Sequence, residues 1–218
     1  MSFGKEIVLP WLDRVWLHLM TSIRKYNEAP KPVVVRYEKK RPGELLHLDP
    51  KKLGRIQGVG HRILGDRRRR SKGVGWEFVH VCVDDAIRVS YAEVLPDEKA
   101  VTAATFLKRA VAWFTERDVL VQRVMTDNGS CYRSHLFRRT PKALGARPVF
   151  TRPYRSETNG KAERFIQTAK REWAYARSYR TSSARTMMLA GFLSRYNSRR
   201  PHRALGNQTP LSRIETLA

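Results

Sequence analysis

Trp76-Glu77-Phe78-Val79-His80-Val81-Cys82-Val83 alternates β-branched and aromatic residues with others and reads as a strand. Asp84-Asp85-Ala86 follows as a turn, and Ile87 to Leu95 returns as a second strand, so the stretch predicts a hairpin. Upstream, Glu44 to Ile56 carries a strand pattern around Leu46, Leu48 and Leu53. Downstream the period changes. Ala100, Ala103, Ala104, Leu107, Ala110, Val111 and Phe114 form one apolar stripe, which predicts a helix from Lys99 to Glu116. Val119 to Met125 reads as a short buried strand, Ser134 to Leu144 as a helix and Ala146 to Thr151 as a strand. Two more helices are expected over Ser156–Tyr179 and Ser183–Tyr196. Three early strands followed by alternating helices and strands argue for an α/β fold, a mixed sheet flanked by helices.

At the N-terminus, Leu12, Val15, Trp16, Leu19 and Ile23 fall at helical spacing, and Ala29-Pro30-Lys31-Pro32 breaks the pattern. Residues 1–35 therefore read as an N-terminal helical arm and linker, 36–200 as the body and 201–218 as a basic C-terminal tail. The 218 residues suffice for one sizeable core. With 41% hydrophobic residues the chain is too apolar for a disordered one. Cys82 and Cys131 are the two cysteines, which excludes a disulfide framework and a four-cysteine zinc site. Lys plus Arg number 43 against 20 Asp plus Glu, a net charge of +23, which points to a polyanionic partner. Ile7 to Met20 is interrupted by Pro10, Asp13 and Arg14, so neither a membrane span nor a signal peptide is expected.

In so basic a chain the apolar-flanked acids stand out. Asp49 ends Leu45-Leu46-His47-Leu48-Asp49, and Asp127 ends Val124-Met125-Thr126-Asp127 before Asn128-Gly129. Glu163 lies within Asn159-Gly160-Lys161-Ala162-Glu163-Arg164. Taken singly, a strand-end Asp before Asn-Gly reads as turn chemistry, and a Glu near a helix start as a response to the helix dipole. Taken together, two strand ends and one helix turn can converge if the strands are neighbours and the helix packs over them. Three converged carboxylates raise one another's pKa unless a cation joins them. Mg²⁺ takes oxygen ligands of this kind, and a pair of such ions can flank a phosphodiester.

The spacing and the surrounding words resemble the DDE-type integrase catalytic core of bacterial insertion-sequence transposases, a retroviral-integrase-like family. Thirty-five residues separate Asp127 from Glu163, as in the D,D(35)E pattern. Four blocks carry the resemblance, over roughly Arg36 to Ile214: Leu48-Asp49-Pro50-Lys51-Lys52-Leu53-Gly54-Arg55, Thr126-Asp127-Asn128-Gly129-Ser130, Arg152-Pro153-Tyr154-Arg155-Ser156-Glu157-Thr158-Asn159-Gly160-Lys161-Ala162-Glu163-Arg164-Phe165, and Tyr196-Asn197-Ser198-Arg199-Arg200-Pro201-His202-Arg203-Ala204-Leu205-Gly206. The resemblance implies a ribonuclease H-like fold with a five-stranded mixed sheet. It implies that residues 36–200 are the catalytic core, with Asp49, Asp127 and Glu163 as catalytic residues and metal ligands. Two Mg²⁺ ions, or Mn²⁺ in their place, would serve DNA cleavage and strand transfer without a covalent protein–DNA intermediate. Element ends and target DNA are the implied partners, a homo-oligomer the implied assembly, and the bacterial cytoplasm, at the nucleoid, the implied location.

The chain departs from the family pattern at Pro50, where an aliphatic residue is usual, and at Ser156, where many relatives carry proline. No two-helix recognition pattern precedes the core, so a truncated copy is expected. The alternatives are a non-catalytic DNA-binding remnant and a ribonuclease H-like nuclease acting on RNA–DNA hybrids.

Residues 51–75 hold nine Lys or Arg against one acid, and residues 151–218 hold 14 against four. Such clusters neutralise phosphates, or form a solvated charged face. Lys51, Lys52, Arg55, Arg155, Lys161 and Arg164 are the candidate DNA contacts, although Arg164 could instead pair with Glu157. His47 shares a strand face with Asp49 and reads as a structural histidine in preference to a metal neighbour. His202 is open between DNA contact and helix capping. Asp84 and Asp85 read as turn acids, Asn128-Gly129 as a sharp turn, and Asn159-Gly160 as a flexible start to the catalytic helix. The tryptophans Trp11, Trp16, Trp76, Trp113 and Trp173 read as packing residues.

Overall fold

The computed structural model describes residue 16 and residues 18–21, 38–58, 74–151 and 159–217. The chain divides into two units, Met1–Tyr37 and Glu38–Ala218. In the first, residues 18–21 are helical, and Trp16, Leu19 and Met20 are more than half exposed. The rest of the expected N-terminal helix, with Trp11, lies outside the described residues, as do 59–73 of the expected basic loop.

The second unit holds a five-stranded sheet. Its strands are β1 (Leu46–Gly54), β2 (Trp76–Asp84), β3 (Ser90–Leu95), β4 (Arg123–Thr126) and β5 (Arg147–Phe150), in spatial order β3-β2-β1-β4-β5. The expected hairpin is present: β1 pairs antiparallel with β2, and β2 antiparallel with β3. β4 pairs parallel with β1 on one side and with β5 on the other. The sheet is therefore mixed, as the element order predicted. The helices are α1 (Ala100–Thr115), α2 (Ser130–Arg133), α3 (His135–Ala143), α4 (Gly160–Ala169), α5 (Ser182–Ser198) and α6 (Ser212–Leu217). The helix expected over Ser156–Tyr179 differs. It begins at Gly160 among the described residues and passes at Lys170–Ala174 into a π-helical turn.

The pleat sorts β1 and β2 into two faces. Leu46, Leu48 and Cys82 join a core with Ala103, Phe106, Leu107, Phe114, Tyr132 and Phe137 of α1, α2 and α3. Leu53, Val79, Val81 and Val83 join a second core with Phe165 and Ile166 of α4, Trp173, and Phe192 and Tyr196 of α5. Alternation along β1 thus puts the odd-numbered positions 47, 49, 51 and 53 on the α4 face. Cys82 is buried, and burial raises its thiol well above the ordinary value.

Pro50 lies within β1, opposite His80 of β2. The β1–β4 ladder consists of Leu46↔Val124 and His47↔Met125 and does not reach it. A residue without an N–H is tolerated where one edge is left unpaired. The segment expected as a basic tail carries a 3₁₀ turn (Arg203–Leu205) and α6, and Leu211 and Ile214 pack on the first core. Trp173 and Trp113 do pack, but Trp76 is 55% exposed and lies beneath the Lys52 ammonium, 4.5 Å from the ring centroid.

Candidate active site

The β1–β4 register is the origin of the site. The parallel ladder ends at His47↔Met125, and carried two residues further it sets Asp49 level with Asp127. α4, which bears Glu163 in its first turn, packs on β1 and β2 on the same side of the sheet as Asp49. Two neighbouring strands and one overlying helix therefore bring together three acids that lie far apart in sequence.

The electrostatics agree with this placement. Burial, and after it the negative charges of Asp127 and Glu163, push the Asp49 carboxyl up to about 7, against a smaller pull from Lys51. Among the described residues, no group of three or more His, Cys, Asp and Glu side chains is gathered closely enough to hold a metal ion. Asp49 and Asp127 are half-buried and Glu163 is exposed. The donor set is nonetheless suited to Mg²⁺. It is all carboxylate oxygen, and its mutual repulsion is the kind a hard cation relieves.

Asp127 is held by its own loop, with Gly129 N–H donating to its Oδ1 at 2.9 Å. Gly129 has φ −55°, so a left-handed turn is not what requires glycine here. Space is the reason, because a Cβ would stand 2.9 Å from Asp127 Oδ1. Asn128 Nδ2 donates to Thr151 O at 2.8 Å. Beside Asp127, Asn128, Arg133, Arg138 and Phe150 line a cavity of about 190 Å³ that the sequence reading missed.

The start of α4 is also ordered differently from expectation. Asn159 is 4% exposed, and its side chain makes no helix cap. Its Nδ2 donates to Leu48 O at 3.1 Å, and its Oδ1 lies 3.1 Å from His47 Nδ1. His47 Nε2 meets Asp85 Oδ1 at 2.8 Å, and Lys161 Nζ reaches the same oxygen at 3.2 Å. Burial alone would raise the Asp85 carboxyl. The bonds from His47 and the Lys39 N–H, with the Lys161 charge, outweigh it and hold Asp85 well below the usual carboxylate range. Asp84 accepts from the N–H groups of Gly43, Ala86 and Ile87, and burial still pushes it up to about 6. Asp84 thus performs the expected turn chemistry, whereas Asp85 is bonded by His47, Lys161 and the Lys39 N–H. The local signal was present, since two adjacent acids close an apolar strand, but their partners come from distant sequence.

Of the candidate DNA contacts, Lys51, Lys52, Arg55 and Arg164 are exposed, Lys161 turns toward Asp85, and Arg155 lies outside the described residues, as does Glu157. Cys131 is half-buried at the start of α2. Burial, then Asp127, raises its thiol to about 11.

The Integrase core domain family matches residues 40–156, and a second description of that domain matches 144–210. The first match alone covers more than half of the chain and includes Asp49 and Asp127. The chain belongs to the integrase core domain family. Glu163 falls within the second matched region of the integrase core. Over 86 residues this integrase core is 37% identical to a putative transposase InsD for insertion element IS2E of Escherichia coli (strain K12), a stretch covering 39% of each protein. The chain thus spans well under two thirds of the curated relative that it matches. It superposes on the catalytic core domain of BIV integrase with a TM-score of 0.55 at 19% identity, covering 80% of this chain and 95% of that one. With the HTLV-2 integrase catalytic core domain, solved in complex with magnesium in a trimeric form, the TM-score is 0.54 at 12% identity, covering 79% and 96%. The fold of this integrase core is ribonuclease H-like.

Proposed function

We propose that this chain is the catalytic core of a DDE transposase, which cleaves DNA at the ends of an insertion sequence and joins the freed 3′ ends to target DNA. The observation that carries the reading is the β1–β4 register that sets Asp49 beside Asp127 under the helix of Glu163, within an integrase core. A family assignment supplies the reaction class, and the positions of the acids supply the chemistry.

Asp49, Asp127 and Glu163 would hold the metal. When bound there, Mg²⁺, or Mn²⁺ in its place, supplies Lewis acidity to the attacking and leaving oxygens of the phosphodiester. Asp127 is oriented for this by Gly129 N–H, and Asp49 by its place in β1. Lys51 and Arg164, on the α4 side of the sheet, hold the DNA backbone together with Lys52, Arg55 and Arg155. Arg133 and Arg138 add two guanidinium groups to the cavity that Asn128, the residue after Asp127, also lines, with Phe150 as an apolar wall. Such a cavity suits a nucleotide next to the scissile bond. A homo-oligomer in the bacterial cytoplasm would pair the element ends; the trimeric form of the HTLV-2 core supports the assembly, and the Escherichia coli transposase relative supports the bacterial setting.

The test is strand transfer from a precleaved element-end duplex in Mg²⁺. Joined products are expected, and Asp127→Ala reduces them to background. Products that persist at the wild-type level in Asp127→Ala overturn the assignment.

A further inference from the structure

We propose that His47 and Asn159 form a clamp that seats the first turn of α4, and with it Glu163, against the strand carrying Asp49. The inference rests on the reading of Asp49, Asp127 and Glu163 as a metal-binding set. It assigns positioning roles to two residues outside the carboxylate set.

The geometry begins with an anomaly. Asn159 occupies the N-cap position of α4, where asparagine ordinarily bonds the free N–H groups of the first turn. Here the side chain makes no such bond. Its amide turns to β1 and bonds the Leu48 carbonyl, one residue before Asp49. Forgoing a cap costs about 1 kcal/mol. The orientation of the amide follows from its partners: Nδ2 must face the Leu48 oxygen, so Oδ1 faces His47 Nδ1. The other ring nitrogen of His47 faces Asp85 Oδ1. The ring thus bridges Asn159 and Asp85 through its two nitrogens.

The clamp closes on itself. His47 stands on β1, Asp85 just past the end of β2, and Asn159 and Lys161 at the start of α4. His47 and Lys161 converge on one oxygen of Asp85, so that carboxylate ties strand to helix a second time. His47 and Asp85 are each 1% exposed and Asn159 4%, which keeps water from competing for these bonds. The clamp residues lie two positions from Asp49 and four from Glu163, one strand repeat and about one helical turn. A loosened Asn159 would leave Glu163 on a fraying helix end. Residues that orient metal ligands typically matter about 10- to 100-fold in metal affinity.

The experiment uses the full chain with Asn159→Ala, His47→Gln and the double variant. Hydrogen exchange of peptides covering α4 is measured beside those covering α1, and Mn²⁺ affinity is measured by calorimetry. Asn159→Ala is expected to speed exchange in α4 by about tenfold or more with α1 unchanged, and to weaken Mn²⁺ binding about tenfold. The double variant should bind Mn²⁺ no more weakly than the weaker single variant, because one clamp is broken either way. Unchanged α4 exchange in a folded Asn159→Ala chain, or additive losses in the double variant, overturns the clamp. Should His47→Gln fail to fold, Asn159→Ala carries the test. Mn²⁺ binding that is insensitive to Asp49→Asn, Asp127→Asn and Glu163→Gln overturns the metal reading instead, and α4 exchange then decides the clamp alone.

Discussion

Asp49 is held where burial and two like charges act together, so the metal-free fold carries an unfavourable carboxylate at neutral pH. Asp49→Asn keeps the shape and removes the charge. At pH 7.5 without divalent metal it should raise the melting temperature by a few degrees, on the order of 1–2 kcal/mol, as followed by circular dichroism. A lowered melting temperature would mean that Asp49 is satisfied by protein contacts alone. Gly129 gives a second prediction at this scale. A methyl group there meets Asp127 Oδ1 at 2.9 Å, so Gly129→Ala should displace that carboxylate. Strand transfer should fall at least about tenfold with the melting temperature within about 2 °C of wild type. His202 supplies the pH dependence. Burial, then the charges of Arg200 and Arg88, lower it to about 4, so the folded state prefers the neutral ring. Its contribution is complete above the ordinary histidine pKa and is lost as pH falls from about 6.5 through 4. Because the ring is only half-buried, the loss is about 1 kcal/mol. His202→Phe keeps a ring against Tyr196, now 4.9 Å away, and should flatten the acid limb of a melting-temperature profile.

At the scale of elements, most of the sheet was legible. The period-two run of Trp76–Asp84 and the apolar stripe of Ala100–Thr115 are local signals, and the structure has a strand and a helix there. The five-stranded mixed sheet was expected through family resemblance, and the spatial order of its strands was not read, because pairing depends on contacts between residues far apart in sequence. Asp49 and Asp127 could be named because each ends an apolar run in a basic chain, and Glu163 through its spacing from Asp127 in the family pattern. Their supports could not be named. Asn159-Gly160 has the local chemistry of a loose helix start, and nothing near it in sequence shows that Leu48 and His47 will take up its amide. The same limit hid Arg185. It is fully buried in α5, pairs with Glu77 of β2 and donates to Gly54 O at 2.7 Å at the end of β1. In sequence it is one more arginine in a basic segment. Arg185→Ala leaves Glu77 buried without its partner and should cost about 3 kcal/mol or more in urea unfolding. A cost below about 1 kcal/mol would show that the pair is a surface contact.

At the scale of the whole molecule, a net charge of +23 overstates the cations available to DNA. Arg185 is internal, and Arg195 and Arg200 both pair with Glu172. Exposed Lys51, Lys52 and Arg55 lie on or beside β1, shortly after Asp49 in the chain. Replacing those three by glutamine should flatten the salt dependence of duplex binding, by about 0.9 in log–log slope for each phosphate that is no longer neutralised. An unchanged slope would place the DNA elsewhere. The proposed site rests on the register, the overlying helix and the clamp, and in it Asp49, Asp127 and Glu163 would share one cation. A crystal of the full chain soaked in Mn²⁺ and measured by anomalous scattering tests that most directly. A peak is expected with oxygens of Asp49, Asp127 and Glu163 about 2.0–2.3 Å away. Saturating Mn²⁺ with no peak between those side chains would contradict it.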